Sequence, residues 1–485
     1  MNMTSDQNQS KQKTLGQLPL VKDGGYCVGC GACAVGLGTE MHLNDYGEYE
    51  PDFSSVNPSS INYQTEEIES LCPFLSPELN ENVLAKSRFE SGAKHHDKIG
   101  YHVEAYAGKV NEQSFRKNGT SGGMGTWIGS ELLRLGLIDG VIHAKPVQSP
   151  NPEGPFCTYE ISRTPEEIQS GAKTRYHVME VSQVVQQVKQ NEGKYLFIGV
   201  PCICKAIRRL QRVDIELDER IAFVVSLVCG HFKSVHWTLS LAWAAGVKPD
   251  ELDSFQYRTK DKGIPARAYV FEASPKSGAT PVRHDSATVA GGKFNAGAMM
   301  LNACNYCDDV VGETADLTIG DAWIPRFETD SLGTNLLIPR NHQINDLLKQ
   351  AASEGRIELN SISADEAAGS QTGGFRQRRE GLSYRLAKVE SDGQWVPTKR
   401  VAPGQFPVSR LRKKIYDQRM VVSKMSRNLF RIALDKEDFE FYNVNLSPAL
   451  KKLKAIEMRS SFFRAATNRL SRVFHTLKRK LSGKQ

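Results

Sequence analysis

Three cysteines stand at intervals of three near the start of the chain, Cys27-Val-Gly-Cys30-Gly-Ala-Cys33, and a fourth, Cys72, is followed directly by Pro73. Thiols so spaced on a tightly curled loop can face one centre, because the glycines between them accept the positive φ angles that wrapping requires. A centre surrounded by four sulfurs suits iron–sulfur or zinc. Zinc sites usually pair two separated Cys-x-x-Cys arms, so the triple spacing points to iron–sulfur. The bland alternative is a set of structural cysteines with no metal. Residues 24–78 show little periodic apolar pattern, which implies a small loop-rich module held by something other than its own core.

The Cys-Pro ending matches the bacterial ferredoxin run, opened here by an insertion that places Cys72 39 positions after Cys33. In two-cluster ferredoxins the Cys-Pro cysteine serves the other cluster, so Cys72 has two readings.

The chain has 485 residues, enough for two to four domains, and its 40% apolar content supports a sizeable core. No apolar stretch approaches the ~18–20 residues of a membrane-spanning helix. The polar segment Met1 to Lys13 has no run that could serve as a secretory signal, so a cytoplasmic protein is expected. Ten cysteines in a reducing compartment are metal ligands or redox groups more readily than disulfides. The net charge is +7, yet residues 449–485 carry eleven Lys and Arg against Glu457 alone, which leaves a net −3 on everything before them. The basic balance belongs to the tail and does not indicate a nucleic-acid-binding core.

Residues 1–23 read as a flexible arm, 79–98 as a connector and 360–407 as irregular. Between them apolar runs alternate with helical stretches. Strands are expected at 102–110, 140–144, 195–200, 221–228, 268–272 and from 315, with helices at 122–135 and 178–189. That alternation predicts an α/β core domain with a mixed or mostly parallel sheet over residues 100–400, followed by a basic helical extension over 401–485 with helices at 409–434 and 447–481.

A second group of cysteines falls where ligands converge in α/β sheets. Cys202 follows the strand ending at Val200, Cys229 ends the strand 221–228, and Cys304-Asn-Tyr-Cys307 repeats the Cys-x-x-Cys spacing. These four thiols could form one site, or they could be buried apolar cysteines. Cys204 is a rival to Cys202 if the strand continues, and Cys157 reads as structural. Gly119-Thr120-Ser121-Gly122-Gly123 precedes a helix and leaves amides free for a phosphate, although a plain capping turn explains it as well. Gly171-Ala-Lys173-Thr-Arg175-Tyr176 is a second such junction, able to hold a phosphate and stack a ring or simply to start a helix.

Taken together, these stretches resemble the beta subunit of coenzyme F-420-reducing hydrogenase and its relatives. The resemblance spans residues 100–345 and rests on Gly119–Gly123 with Ile138-Asp-Gly140, Gly171–Tyr176, Gly199-Val-Pro-Cys202, Leu227-Val-Cys229-Gly-His231, and Cys304–Cys307 followed by Ala315–Trp323. A ferredoxin-like N-terminus occurs in longer members. The family also includes dehydrogenase beta subunits and bacterial proteins encoded among polysaccharide-synthesis genes. The resemblance implies that Cys202, Cys229, Cys304 and Cys307 ligate a 4Fe–4S cluster beside FAD. It also implies that Thr120, Ser121, Gly122, Gly123, Gly171, Lys173 and Tyr176 contact the flavin. With the N-terminal group, the expectation is two 4Fe–4S clusters and FAD in an oxidoreductase that converts one-electron transfer into two-electron flavin chemistry.

His231 is then the candidate proton donor or hydrogen-bonding partner of a cluster sulfur. A redox partner protein or ferredoxin would meet the N-terminal cluster, and a small-molecule hydride donor or acceptor would meet the flavin. Use of the deazaflavin coenzyme does not follow from membership. The rival function is a zinc-stabilised, non-redox scaffold or binding protein built on the same cysteines.

In the tail, Leu453, Ile456, Phe463, Ala466, Leu470, Val473, Phe474, Leu477 and Leu481 recur mostly at spacings of three and four. Such a stripe either lies on an anionic membrane surface, making the protein peripheral on the inner face, or packs on the body of the chain. Nucleic acid is not an expected partner, because the basic residues lack interleaved stacking aromatics.

Overall fold

The computed structural model describes residues 5–481 apart from 113, 149, 152–153 and 260–269, with the course of the backbone alone for 5–8 and 463–481. Its centre is an eight-stranded mixed sheet. In chain order the strands are β1 (Tyr106–Val110), β2 (Gly140–Pro146), β3 (Cys157–Ser162), β4 (Tyr195–Gly199), β5 (Ile221–Leu227), β6 (Leu317–Asp321), β7 (Asn335–Pro339) and β8 (Ile357–Ser361). They lie side by side as β8-β1-β7-β6-β5-β4-β2-β3. The central β6, β5, β4 and β2 run parallel, and the flanking strands pair antiparallel.

Both faces of the centre are buried, which is why these strands read as continuous apolar runs. On β4, Tyr195 and Phe197 join the core of one layer while Leu196 and Ile198 join the other. The second layer holds Trp127, Ile128 and Leu132 of the Met124–Arg134 helix. The first holds the helices Ser182–Gln190 and Pro201–Val213. The expected strands differ by a few residues at their ends. The run 102–110 is broken into a short strand Gly100–His102 and β1, and the segment from Val178 becomes helical only at Ser182. The strand expected at 268–272 is Val270–Pro275 in a separate three-stranded sheet, with residues 268–269 outside the described residues.

The N-terminal segment departs furthest from its expected form. Residues 5–23 do not form a flexible arm: helices run Ser5–Leu15 and Leu18–Asp23, and Leu15, Leu18 and Val21 are buried, while residues 1–4 of the expected arm lie outside the described residues. Residues 24–78 are not held by metal ligation alone. Tyr26, Val28, Leu37, Ile68, Leu71 and Phe74 belong to the same apolar core as Phe197 and Val224 of the sheet. Tyr26 is a point where distant segments meet. Its ring stands edge-on to Tyr306 with centroids 4.8 Å apart, its hydroxyl donates to the Trp395 carbonyl at 3.0 Å, and Asn302 Nδ2 donates to the Gly25 carbonyl at 3.2 Å.

Residues 360–407 are largely helical, with Ala364–Ser370, Thr372–Arg378 and Glu380–Ser391. A capping box between Ser363 and Glu366 starts the first of them. The extension forms two helices, Arg410–Asp435 and Phe439–Leu481, packed against each other, and Pro448 lies inside the second. The first stripe positions of the tail cover the body of the protein: Leu453 is buried, as is Ala449 before it, and Ile456 packs beside them against Ala298, Ile415 and Val422. The side chains from Phe463 to Leu481 lie outside the described residues. Among the described residues no helix is long and apolar enough to cross a membrane.

Candidate redox site at the carboxyl edge of the sheet

The parallel strands end on one edge, and that edge gathers the candidate residues. After β4 the chain turns at Val200 into a helix with Pro201 and Cys202 in its first turn. After β5 it passes to Cys229, whose amide donates to the Val310 carbonyl at 3.1 Å. A short helical turn, Asn302–Tyr306, presents Cys304, and Cys307 follows it. Cys202, Cys229, Cys304 and Cys307 all line one small cavity, together with Val28, Phe74, Phe232 and Arg378. The Phe232 amide donates to Cys304 Sγ at 3.2 Å. Burial, followed by the neighbouring thiols, pushes the Cys202 thiol well above the ordinary cysteine value, and burial raises Cys229 to about 12. Four thiols crowded in a dry cavity resist ionisation, and a bound metal centre reverses that cost by binding the thiolates directly.

Cys204 does not join them. Because a helix and not a strand follows Gly199, residues two apart point to different sides, and Cys204 Sγ lies 3.7 Å from the Val225 carbonyl in the core. Cys157 is also separate, with its Sγ 2.9 Å from His177 Nε2.

The N-terminal thiols form their own group. Gly29 and Gly31 have φ of +69° and +81°, which lets the loop wind round Cys30, and the Gly29 amide lies 3.4 Å from Cys27 Sγ. Burial raises the Cys33 thiol, and Cys30, Cys27 and Cys72 add to it. The buried Arg209, on the helix that begins at Pro201, holds the Cys72 loop in place by donating to the carbonyls of Ser70, Cys72, Leu75, Ser76 and Leu79. The two thiol groups adjoin: Val28 and Phe74, from either side of the N-terminal group, form part of the wall of the second cavity.

A cleft of about 260 Å³ opens beside this edge and is lined by Gly119, Thr120, Ser121, Gly123, Gly125, Gly171, Lys173 and Tyr176. Gly123, with φ +88°, caps the Met124–Arg134 helix, and Asn335 Oδ1 at the start of β7 accepts from the Met124 amide at 3.1 Å. Thr174 Oγ1 donates to Thr120 Oγ1 at 2.9 Å, joining the two junctions read from the sequence. Lys173 has φ +94°, a conformation that costs free energy for a residue with a side chain and is held here by its surroundings. Burial, then Arg175, lowers its pKa.

Gly122 does not line the cleft. A Cβ there would stand 2.7 Å from Asn335 Oδ1 and 2.8 Å from the Gly108 carbonyl, so its small size serves the packing of the loop on β1 and β7. Tyr176 stands at the cleft wall, edge-on to Trp237 and Tyr257 at 5.9 and 5.1 Å.

A second cleft continues from the first towards the thiols. It shares Tyr176, Val200, Val228 and Phe232 with the first, and reaches Cys229, Cys304 and His231. The His231 ring stacks on Phe294 at 4.1 Å, and among the described residues its buried Nε2 has no hydrogen-bond partner. Burial, then Lys233, Arg378 and Arg419, keeps this imidazole neutral. Three residues of the site escape a reading of motifs: Asn335, Arg378 and Phe294. The only signals for them are a polar Asn opening the apolar run Asn335–Pro339 and an arginine in a stretch that looks irregular.

Residues 105–186 match the N-terminal part, and residues 192–365 the C-terminal part, of the family described as coenzyme F-420 hydrogenase/dehydrogenase, beta subunit; together the two matches span more than half of the chain. The xenon-derivatised structure of the F-420-reducing hydrogenase complex from Methanosarcina barkeri aligns with 61% of this chain and 96% of that chain, at 19% identity and a TM-score of 0.46. No curated protein gives a significant match.

Proposed function

The chain belongs to the coenzyme F-420 hydrogenase/dehydrogenase beta subunit family, and on that premise we propose that it is an iron–sulfur flavoprotein oxidoreductase. Cys27, Cys30, Cys33 and Cys72 would hold one 4Fe–4S cluster and Cys202, Cys229, Cys304 and Cys307 another. FAD would occupy the cleft beside Gly119–Gly123 and Lys173. When bound, the flavin supplies two-electron hydride chemistry and the clusters supply one-electron transfer.

The observation that carries this reading is the shared wall. Tyr176, Val200, Val228 and Phe232 line both the glycine-loop cleft and the cleft that reaches Cys229 and Cys304. A group held in the first cleft therefore lies beside the thiols, and the thiols of the second group lie beside the N-terminal ones. The donor sets fit the clusters: each offers four sulfurs and neither includes a nitrogen or carboxylate. The four thiols of the second set share the wall of one cavity.

This chain's residues divide the remaining work. The amides of the Gly123 turn and Lys173 would meet phosphate. Thr120 and Ser121 would hydrogen-bond to it, and Tyr176 would bound the ring. Phe232 and the surrounding apolar side chains keep water from the thiols. His231, which lines the second cleft, would stand beside a ligand there. The N-terminal centre would be the port to a ferredoxin or redox partner subunit.

Anaerobic purification with metal and flavin analysis tests the proposal. It expects about eight irons per chain, one heat-released FAD, and visible absorbance that bleaches with dithionite. A colourless protein that contains zinc overturns it in favour of a scaffold.

A further inference from the structure

The second thiol cavity contains one charged side chain that the sequence did not bring to notice. Arg378 ends the helix Thr372–Arg378, is 2% exposed, and lines the cavity with all four cysteines. Its Nη2 donates to the Gly230 carbonyl at 2.8 Å, which fixes the guanidinium beside Cys229. The residue lies beyond 365, where the family match ends. Asp309 is the acidic residue on the same cavity wall, and its carboxylate is turned to the amides of Val311, Gly312 and Glu313 at 2.8–3.0 Å.

A buried cation against sulfur ligands has a definite electrostatic consequence. Reduction of an iron–sulfur centre adds one electron, with no bond formed or broken, and its potential depends on net charge and on hydrogen bonds to the sulfurs. In a low-dielectric cavity a fixed positive charge stabilises the added negative one. Arginine keeps its proton in both states, so no proton accompanies the electron.

We infer that Arg378 sets the potential of the centre at Cys202, Cys229, Cys304 and Cys307, making it easier to reduce. The inference rests on the cluster reading of that site. Arg378 is a positioning residue: it touches the ligands' cavity and acts on the electron through charge.

The test is an EPR-monitored redox titration of the full-length, anaerobically purified protein, with iron counted in every sample. Arg378→Gln should shift the reduction equilibrium at least tenfold towards the oxidised centre, which is about 59 mV for one electron. Arg378→Lys should recover most of that shift. Arg378→Met keeps the cavity filled and is the second variant should Gln cost the protein its centre. With about eight irons in each protein, a potential unchanged within twofold in the Gln or Met variant overturns the role of Arg378. About four irons in the wild type overturns the cluster reading itself, and the two failures are distinguished by the iron count.

Discussion

The helix Met124–Arg134 offers a clean way to test whether a phosphate group sits at its N-terminus. Gly125 is the second residue of that helix and lines the cleft, and a Cβ built on it meets nothing within 4 Å. Gly125→Asp therefore places a carboxylate in the cleft without disturbing backbone. Two like unit charges about 5 Å apart, at an effective dielectric near 20, repel by ~3 kcal/mol, or a few hundredfold in affinity. The same carboxylate suits the positive end of the helix, by ~0.3–1 kcal/mol, and replaces a glycine that costs up to ~1 kcal/mol in a helix interior. The variant should thus fold at least as stably as the parent while losing flavin.

Gly125→Asn separates bulk from charge and should lose much less. FAD titration of reconstituted apoprotein, followed by flavin fluorescence, gives the affinities, and thermal unfolding gives the stabilities. Retention of FAD within threefold of the parent by a stable Gly125→Asp protein would refute a phosphate at this helix end. Gly122→Asp cannot serve the purpose, because its side chain collides with the Gly108 carbonyl and Asn335 whether or not flavin binds.

Cys27→Ser and Cys304→Ser should each remove about four irons and one EPR signal, and loss of both signals from either variant would show that the centres are not separable. Arg209→Met leaves the carbonyls of the Cys72 loop without their donor and should destabilise the protein by at least ~3 kcal/mol in denaturant titration, with faster loss of the N-terminal centre. Burial lowers His143 from 6.5 to about 4, with its Nε2 2.9 Å from Ser162 Oγ. The unfolded chain takes up that proton first, so stability is present above pH 6.5 and falls as pH drops towards 4, by up to ~3 kcal/mol. His143→Gln should flatten that part of the stability profile, and an unchanged profile would assign the acid sensitivity elsewhere.

What the sequence made legible follows from how each part is stabilised. β4 and β5 are apolar on both faces, so their runs stand out without any partner being known. The cysteine groups are chemically conspicuous, and the structure brings Cys202 and Cys229 together with Cys304 and Cys307, more than seventy residues away in the chain. Leu15, Leu18 and Val21 are too sparse among polar residues to announce a buried helix, and only packing against residues of the Thr65–Leu71 helix makes them core. The helices of 364–391 are rich in Gly, Ser and Arg, and their identity depends on what they cover. Cys204 illustrates the same limit: its direction depends on the chain turning into a helix at Pro201, which an apolar run before it does not reveal.

The meeting of Tyr26 with Tyr306 and Trp395 has a consequence for how the protein comes into being. The ribosome releases the Cys27–Cys33 loop early, but the segments that brace it, and the cavity that Val28 and Phe74 help enclose, are complete only once about four-fifths of the chain has emerged. Neither thiol group is finished as a nascent fragment. Any metal centre held by these thiols would then be completed only on a chain that has emerged past Trp395. A nascent chain halted before Trp395 would expose thiols that the finished protein keeps enclosed, and oxygen or stray metal would reach them first.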